Sequence, residues 1–323
     1  MATRRLGLVV VAYLVACGPG GRGGPGGGGA GSGGGAGSGG SGAHNGGGGG
    51  GGIDPGTGDC MGMGSRLVYV VDQNNTFSSF HPETNPPTFV DIGRLSCPAQ
   101  GTCTGPFGGG PATPFSMSVD RASVAWVLYC SGELFKVDTR TAACQATAFQ
   151  LNQDNFQVFG MGFSTNQPMM PAETLFITGG PFTLIDMGAA QFGTVAFPAL
   201  SVSRIGMVAA GWPELTGTGD AQLWGFFPSD VGSPRIARLD KMTGNDVMMY
   251  SVASISGMPN AWAFAFWGDA FWIFLKRAID PSTFVYKVQR GNGTMTTALS
   301  NTGRTIVGAG VSTCAPVVGI EGP

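Results

Sequence analysis

A phrase of four short segments recurs along most of this chain, and it restricts the possible folds more than any other feature. Phe115–Phe149 divides into FSMSVD, VAWVLYC, ELFKVDT and CQATAF. The same order returns in Phe159–Gly206, Glu214–Val252 and Ala261–Leu299. In the third segment of three repeats (LFKVDTRT, IARLDKMTG, VYKVQRGNG) apolar and polar residues alternate, and a period of two predicts β-strands. Each repeat therefore predicts four consecutive strands.

A four-stranded repeat of about 40–55 residues is typical of a β-propeller blade, and it favours a propeller over another all-β design such as a sandwich. An incomplete repeat, Arg66–Gly93, lacks its first strand, and IVGAGVS near the C-terminus matches the missing strand in length. We therefore predict an all-β fold: a β-propeller of five blades of four antiparallel strands, closed by pairing Ile306–Ser312 with Leu67–Asp72. Six blades stay possible, because the insertion at 179–192 could contain strands.

These phrases resemble bacterial propellers of the NHL, YVTN and SMP-30-like kind over nearly all of residues 65–316. The shared motifs are loose, so the resemblance implies the fold and little about activity. SMP-30-like lactonases use acidic and Asn ligands near the propeller axis. Asp154, Asn155 and Asp220 could imitate that set, which keeps a secreted hydrolase of the lactonase type as an alternative.

The N-terminus carries an export signal. Residues 1–17 read MATRRLGLVVVAYLVAC, with two arginines before an apolar run that is too short to span a membrane. The ending LVAC resembles the bacterial lipobox, which implies lipid attachment at Cys17. The resemblance predicts an exported protein that is lipid-anchored to the cell envelope. In Gram-negative lipoproteins, a residue other than Asp after the cysteine, here Gly18, implies the outer membrane.

A glycine-rich segment follows the signal. Residues 18–52 contain 24 glycines in 35 positions. Such a segment has almost no apolar side chains to offset its ordering entropy, so it predicts a flexible linker. The predicted organisation is a signal peptide and lipobox at 1–17, a disordered Gly-rich linker at 18–59 and the β-propeller at 60–323.

The polar residues of the propeller region argue against several functions. Charged residues make up 11% of the chain, the net charge is −2 and no basic patch occurs, so we expect no nucleic acid partner. His81 is the one histidine after the linker, and no HExxH, CxxC or carboxylate cluster appears. We therefore expect no catalytic residues, no metal and no cofactor. A monomeric binding or interaction module is favoured; a hydrolase and a structural envelope protein are the alternatives.

The connections from the fourth strand of one blade to the first strand of the next crowd one end of a propeller's channel. We expect this face to bind an unknown protein, glycan or small molecule, with Asn155, Trp212, Glu214 and Arg304 as candidate residues. The aromatic stretch Ala261–Phe274 covers two adjacent strands, and its rings are expected to fill the space between blades.

Six cysteines remain after Cys17, an even number that predicts disulfides in an exported chain. In the split blade, Cys314 follows the first strand and Cys60 precedes the second, which favours a Cys60–Cys314 bond. Cys130 is expected to pair with Cys97 or Cys103. The sixth cysteine, Cys144, has no partner in this scheme.

Overall fold

A computed structural model of the chain describes residues 60, 66–103, 105, 109–168, 170–182, 188–230 and 232–318. The predicted signal peptide, Cys17 and the linker at 18–59 lie outside these described residues. A search of the described part for a helix of sufficient length and hydropathy to cross a membrane finds none.

Twenty β-strands form five sheets of four antiparallel strands each. In chain order they are β1 (Val68–Asp72), β2 (Thr76–His81), β3 (Thr88–Arg94), β4 (Pro114–Val119), β5 (Val124–Tyr129), β6 (Leu134–Asp138), β7 (Cys144–Ala146), β8 (Val158–Thr165), β9 (Glu173–Gly180), β10 (Ala190–Ala196), β11 (Ser201–Val208), β12 (Glu214–Gly217), β13 (Leu223–Phe227), β14 (Arg235–Leu239), β15 (Asp246–Ser251), β16 (Pro259–Trp267), β17 (Ala270–Arg277), β18 (Phe284–Gln289), β19 (Met295–Leu299) and β20 (Ile306–Val311).

The sheets are the blades of a five-bladed β-propeller. Their strand orders are β20-β1-β2-β3, β4-β5-β6-β7, β8-β9-β10-β11, β12-β13-β14-β15 and β16-β17-β18-β19. The innermost strands β20, β4, β8, β12 and β16 contact one another in a ring. The five-bladed prediction is confirmed. The third strand of the third blade begins at Ala190, within the insertion expected at 179–192, so this insertion is shorter than predicted.

The two ends of the folded chain close the ring in the first blade. β20 pairs with β1 in antiparallel register, with Val68 opposite Val311 and Tyr69 opposite Gly310. This confirms the predicted pairing of the C-terminal strand, which ends one residue earlier than the sequence suggested. Because β20 covers β1, the inner edge of β1 is paired and the first blade has four strands like the others.

Small residues let neighbouring inner strands approach closely. A Cβ added to Gly310 of β20 would lie 2.9 Å from the backbone of Ser118 on β4, and one added to Gly217 would lie 2.0 Å from the Phe163 carbonyl oxygen. Hydroxyls then satisfy backbone groups across the blade seams. The Ser118 hydroxyl, for example, accepts the Phe163 N–H at 3.1 Å. The middle of the channel is therefore packed by backbone and short side chains.

Aromatic side chains fill the space between blades, as predicted for the stretch Ala261–Phe274. Phe80 of the first blade lies 5.2 Å from both Trp272 and Phe274 of the fifth blade, measured between ring centroids, with edge-to-face geometry. Phe264 and Phe271 are 0–1% exposed. Such pairs contribute about 0.5–1.5 kcal/mol each beyond their buried area.

Three disulfides link the described cysteines: Cys60–Cys314, Cys97–Cys144 and Cys103–Cys130. The first is the bond favoured by the split blade. Cys144, which the sequence scheme left without a partner, bonds to Cys97 across two blades. In a flat blade Cys97, after the fourth strand, and Cys144, at the turn between the third and fourth strands, would lie at opposite ends, but β-sheets twist and the rotation accumulates from the inner to the outer strand. The end of β3 consequently packs on the β6–β7 turn of the next blade.

Candidate functional site

A cavity of about 420 Å³ lies where the inner strands of four blades begin. It is on the face that receives the connections between blades, the face expected to bind a ligand, and its volume is within the range of small-molecule sites. The described residues that line it are Gln73, Thr113, Pro114, Phe115, Cys130, Glu214, Asn260, Ala261, Trp262, Lys276, Thr305 and Val307. We call it the channel cavity.

Glu214, the first residue of β12, is the acid of the channel cavity. Its side chain is 4% exposed. The carboxyl group accepts the Ser116 hydroxyl at 2.9 Å and the backbone N–H of Met161. Burial raises the pKa of Glu214 well above its ordinary value, and these two hydrogen bonds offset only part of that effect. The carboxyl group therefore keeps its proton to a higher pH than an exposed glutamate does.

The neighbouring blade makes room for this carboxyl group. A Cβ added to Gly160 of β8 would lie 3.2 Å from Cδ of Glu214 and 2.5 Å from the Pro213 carbonyl oxygen. A larger residue at this position would push the start of β12 away from β8. Gly160 therefore sets the position of the buried acid.

The walls of the channel cavity combine aromatic and polar groups. Phe115 and Trp262 are partly buried, Lys276 is partly buried near the end of β17, and Gln73 and Asn260 are exposed at the rim. An aromatic face beside a buried acid can accept either an apolar group or a cation.

The Cys103–Cys130 disulfide stabilises one wall. Cys130 lines the cavity, and its backbone N–H donates to the Thr113 carbonyl oxygen at 2.9 Å. The Thr113 N–H donates in return to the Cys130 sulfur at 3.2 Å. These contacts fix the β5–β6 turn against the start of β4.

Of the four candidate residues from the sequence, Glu214 lines the channel cavity, whereas three lie elsewhere. Asn155 is exposed in a 3-10 turn with a φ of 64°. Trp212 is 9% exposed, belongs to the core, and donates its indole N–H to the Ala189 carbonyl oxygen. Arg304 forms an ion pair with Asp91 at 2.7 Å. Trp212 and Arg304 thus have structural partners.

Sequence reasoning missed the aromatic and basic residues of the site. Trp262 was grouped with the core rings of the stretch Ala261–Phe274, but it lies in the first half of β16 and lines the cavity. Phe115 lies near the start of the inner strand β4. Lys276 lies near the end of β17, the strand beside the inner strand β16. The sequence could have indicated these residues by their positions, since each lies near the end of a predicted strand on the cavity face.

The C-terminal segment crosses the opposite end of the channel. We call residues 313–317 the strap. The Thr313 hydroxyl donates to a Glu173 carboxyl oxygen at 2.6 Å and accepts an N–H of Arg121 at 3.0 Å. These contacts connect the strap to the second and third blades, and Cys314 bonds it covalently to Cys60.

The strap continues to the fifth blade. The Pro316 carbonyl oxygen accepts the Gly268 N–H at 2.9 Å, and the Val317 carbonyl oxygen accepts an Arg290 N–H at 2.8 Å. Arg290 also pairs with Asp220 of the fourth blade at 2.8 Å. The strap therefore contacts turns from several blades at this end, whereas the channel cavity lies at the other.

Buried ionisable groups accompany the strap. Burial raises the pKa of Glu173 to about 8, against partial offsets from the Thr313 hydroxyl and the Arg121 N–H. Burial also lowers the pKa of Lys241 to about 8. Lys241 donates to the Thr165 carbonyl oxygen at 2.6 Å. This end is thus rich in polar groups that already have partners.

A second, larger groove of about 710 Å³ lies between the first and fifth blades. Its lining includes Trp267, Trp272 and Lys287. The two indoles are 9% and 2% exposed, and the Lys287 ammonium lies 5.5 Å from the Trp272 ring centroid. The aromatic rings of this groove are therefore largely covered by the protein itself.

The residues that could imitate a lactonase metal site do not converge. The Asp154 carboxylate accepts the Arg204 N–H at 3.1 Å beside the β7–β8 connection, on the cavity face. Asp220 lies in the β12–β13 turn at the strap end. A search of the described residues finds no group of three or more His, Cys, Asp or Glu side chains placed to hold a metal ion.

Comparisons with known proteins add the following. No protein-family model matches the sequence, and no curated protein is similar enough to count as a relative. Among solved structures, TolB from Acinetobacter baumannii aligns at 11% identity with a TM-score of 0.40, over 73% of this chain and 54% of that chain. Hydrazine synthase from Kuenenia stuttgartiensis aligns at 10% identity and 0.39, over 71% and 64%. BamB from Moraxella catarrhalis aligns at 11% and 0.31, over 72% and 57%.

This chain therefore spans less than two thirds of the length of each of these three structures. Their identities and TM-scores are too low to carry any statement about what this chain binds.

Proposed function

We propose that this protein is an exported, lipid-anchored β-propeller of the cell envelope that binds a small molecule in the channel cavity. The observation that carries the proposal is the position of Glu214, a buried acid among aromatic and polar groups in a cavity of about 420 Å³. Burying a carboxyl group costs free energy, and buried titratable groups in a cleft cluster at functional sites.

The export part of the proposal rests on the N-terminal residues and on the disulfides. LVAC before Gly18 resembles a lipobox, and Cys17 would carry the lipid. Lipid chains contribute about 0.8 kcal/mol per buried CH₂, so several chains hold a protein firmly. Three disulfides among the described cysteines fit an oxidising compartment. The outer membrane is the proposed location.

The two alternatives from the sequence receive less support. A structural envelope protein would need no pocket, whereas the propeller has one at the expected face. A lactonase-type hydrolase would need converging acidic and Asn ligands, whereas Asp154 and Asp220 lie at opposite ends of the channel. The channel cavity contains one acid, Glu214, among its described lining residues.

Two experiments test the proposal. Cys17→Ala should move the protein from the membrane fraction to the soluble fraction, and Cys17 of the unaltered chain should incorporate labelled fatty acid; equal fractionation of both proteins would contradict the anchor. For the site, Asn260→Trp places a large side chain at the exposed rim. A small-molecule library screened by ligand-observed NMR should yield binders that lose affinity in this variant. Binders unaffected by Asn260→Trp would place the ligand outside the channel cavity.

A further inference from the structure

We propose that the channel cavity selects a small organic cation, an ammonium group on a compact apolar body, with the ammonium bound at Glu214 and the body against Trp262 and Phe115. This inference rests on the proposed function and adds the chemical class of the ligand. Three observations support it: the isolation of Glu214, the aromatic walls and the position of Lys276.

Glu214 has hydrogen-bond donors but no counter-charge. Its carboxyl group is contacted by the Ser116 hydroxyl and the Met161 N–H, both of which donate to it. None of the ion pairs between described residues includes Glu214, although seven such pairs occur elsewhere in the described part. A bound ammonium group would supply the missing charge. A buried carboxylate with a hydrogen-bonded cation is a far more stable arrangement than the carboxylate alone.

The walls favour an organic cation over a metal ion. Trp262 and Phe115 line the cavity, and ammonium groups are attracted to aromatic faces, most strongly where water is excluded. A divalent metal ion would need several oxygen ligands, and no metal-binding group of three acidic, His or Cys side chains occurs in the described residues. The aromatic rings also offer contact for the apolar part of a ligand.

Lys276 is the other charged residue of the cavity lining. It lies opposite Ala261 in the register of β16 and β17, one strand away from the channel axis, and it interacts electrostatically with the buried Asp280. The interactions that set the protonation of Glu214 come from burial, Ser116 and Met161 rather than from Lys276. The acid on the inner strand is therefore the group that meets a ligand placed deep in the cavity.

Binding of a cation at Glu214 should release a proton, and this release can be measured. Because burial raises the pKa of Glu214 well above its ordinary value, the empty site keeps its proton to a higher pH than an exposed glutamate does. An ammonium group stabilises the carboxylate, so binding releases that proton. Affinity for the cation should then rise with pH until Glu214 ionises in the free protein. A neutral ligand would release no proton at this residue.

The experiment uses the full-length chain in detergent micelles and three probes of similar shape: 2-phenylethylamine, 2-phenylethanol and phenylacetate. Isothermal titration calorimetry in two buffers of different ionisation enthalpy gives the affinity and the protons released. We expect the amine to bind at least about tenfold more tightly than the alcohol or the carboxylate, as charged hydrogen bonds contribute about 1.5–3 kcal/mol. We also expect the release of up to one proton for each amine bound.

Glu214→Gln should lower the amine affinity at least about tenfold and abolish proton release, while leaving the alcohol affinity unchanged. Glu173→Gln is the matched control: it neutralises a buried acid at the strap end and should leave all three affinities unchanged. The glutamine keeps an acceptor for the Ser116 hydroxyl, so Glu214→Gln should fold, and its unfolding midpoint verifies this.

Two results would overturn the inference. If the alcohol or the carboxylate binds as tightly as the amine and Asn260→Trp abolishes that binding, the cavity remains a ligand site and the cation preference is wrong. If the amine does not bind with a Kd on the order of 1 mM or better while the library screen yields binders that Asn260→Trp weakens, the cation preference is wrong and the site stands; if the screen yields no such binders either, both are wrong.

Discussion

The Cys60–Cys314 bond should contribute more to stability than any other single feature of the ring closure. It joins the strap to the start of the first blade across 254 residues. Replacing both cysteines by serine leaves the pairing of β20 with β1 intact in the folded state, because that pairing uses backbone hydrogen bonds. The main effect of the double substitution is therefore on the unfolded chain, which gains conformational entropy when the cross-link is absent.

The size of the effect follows from loop length. In the chain-entropy relation, a loop of about 100 residues corresponds to about 4.7 kcal/mol, and the value rises with the logarithm of length. The separation of 254 residues then corresponds to about 5.5 kcal/mol. The Cys97–Cys144 bond spans 47 residues, which corresponds to about 4 kcal/mol, and the Cys103–Cys130 bond inside it lowers this value further.

Urea denaturation followed by tryptophan fluorescence measures both losses. The double variant Cys60→Ser with Cys314→Ser should lose about 5 kcal/mol in its free energy of unfolding. The matched control, Cys97→Ser with Cys144→Ser, removes a bond at the outer strand and should lose less. Amide hydrogen exchange should also be fastest in the first variant at Val68–Asp72 and Ile306–Val311, where the ring opens.

The opposite order would refute this reasoning. If the Cys97–Cys144 variant is the less stable of the two, loop length does not govern the stabilisation. If both variants lose stability equally and amide hydrogen exchange in β1 and β20 stays slow, packing between blades holds the ring closed and the Cys60–Cys314 bond is secondary.

Three further substitutions test the two ends and the middle of the channel. Glu173 has a pKa of about 8 in the folded protein against an ordinary 4.5, so the free energy of unfolding falls as pH rises between these values. The Glu173→Gln variant should have the same free energy of unfolding as the unaltered protein at low pH. Above about pH 8, urea unfolding should give the variant a higher value, by at most roughly 5 kcal/mol. Equal pH profiles would refute this. Gly310→Val would place carbons against the Ser118 backbone and should cost about 1–3 kcal/mol in the same assay, whereas no loss would mean that the inner strands can separate. Arg290→Met removes the bond to the Val317 carbonyl oxygen together with the ion pairs to Asp220 and Asp269, so it should cost about 1–3 kcal/mol and speed proteolysis after the strap; unchanged cleavage would mean the strap is held elsewhere.

The blades could be predicted from the sequence because each strand is a local pattern. The alternation in segments such as LFKVDTRT records which side chains of β6 are buried, and the missing first strand of the first blade pointed directly to Ile306–Val311. The Cys60–Cys314 bond followed from the same strand order. These features depend on neighbours within one sheet, and the period of two describes such neighbours.

The channel cavity could be placed on a face but not resolved into residues. Its lining comes from four blades, and which strand-end side chain turns inward depends on blade tilt and twist rather than on alternation. Trp262 was therefore assigned to the core and Trp212 to the ligand-binding face, whereas Trp212 is the more buried of the two and Trp262 lines the cavity. The same twist explains why Cys144, which shares no face with Cys97 in a flat drawing, bonds to it.

Ring closure and the ligand site depend on the same stretch of chain. Thr305 and Val307 line the channel cavity, β20 follows to complete the first blade, and the strap then crosses the opposite end. A ligand that contacts both Thr305 and Glu214 bridges the first and fourth blades, so it binds the closed ring and not an opened one. By mass action it must stabilise the closed form, by about 2.7 kcal/mol at a concentration 100 times its Kd. Closure of the ring through the Cys60–Cys314 bond and ligand binding in the channel cavity are therefore thermodynamically coupled, although the bond and the cavity lie at opposite ends of the channel.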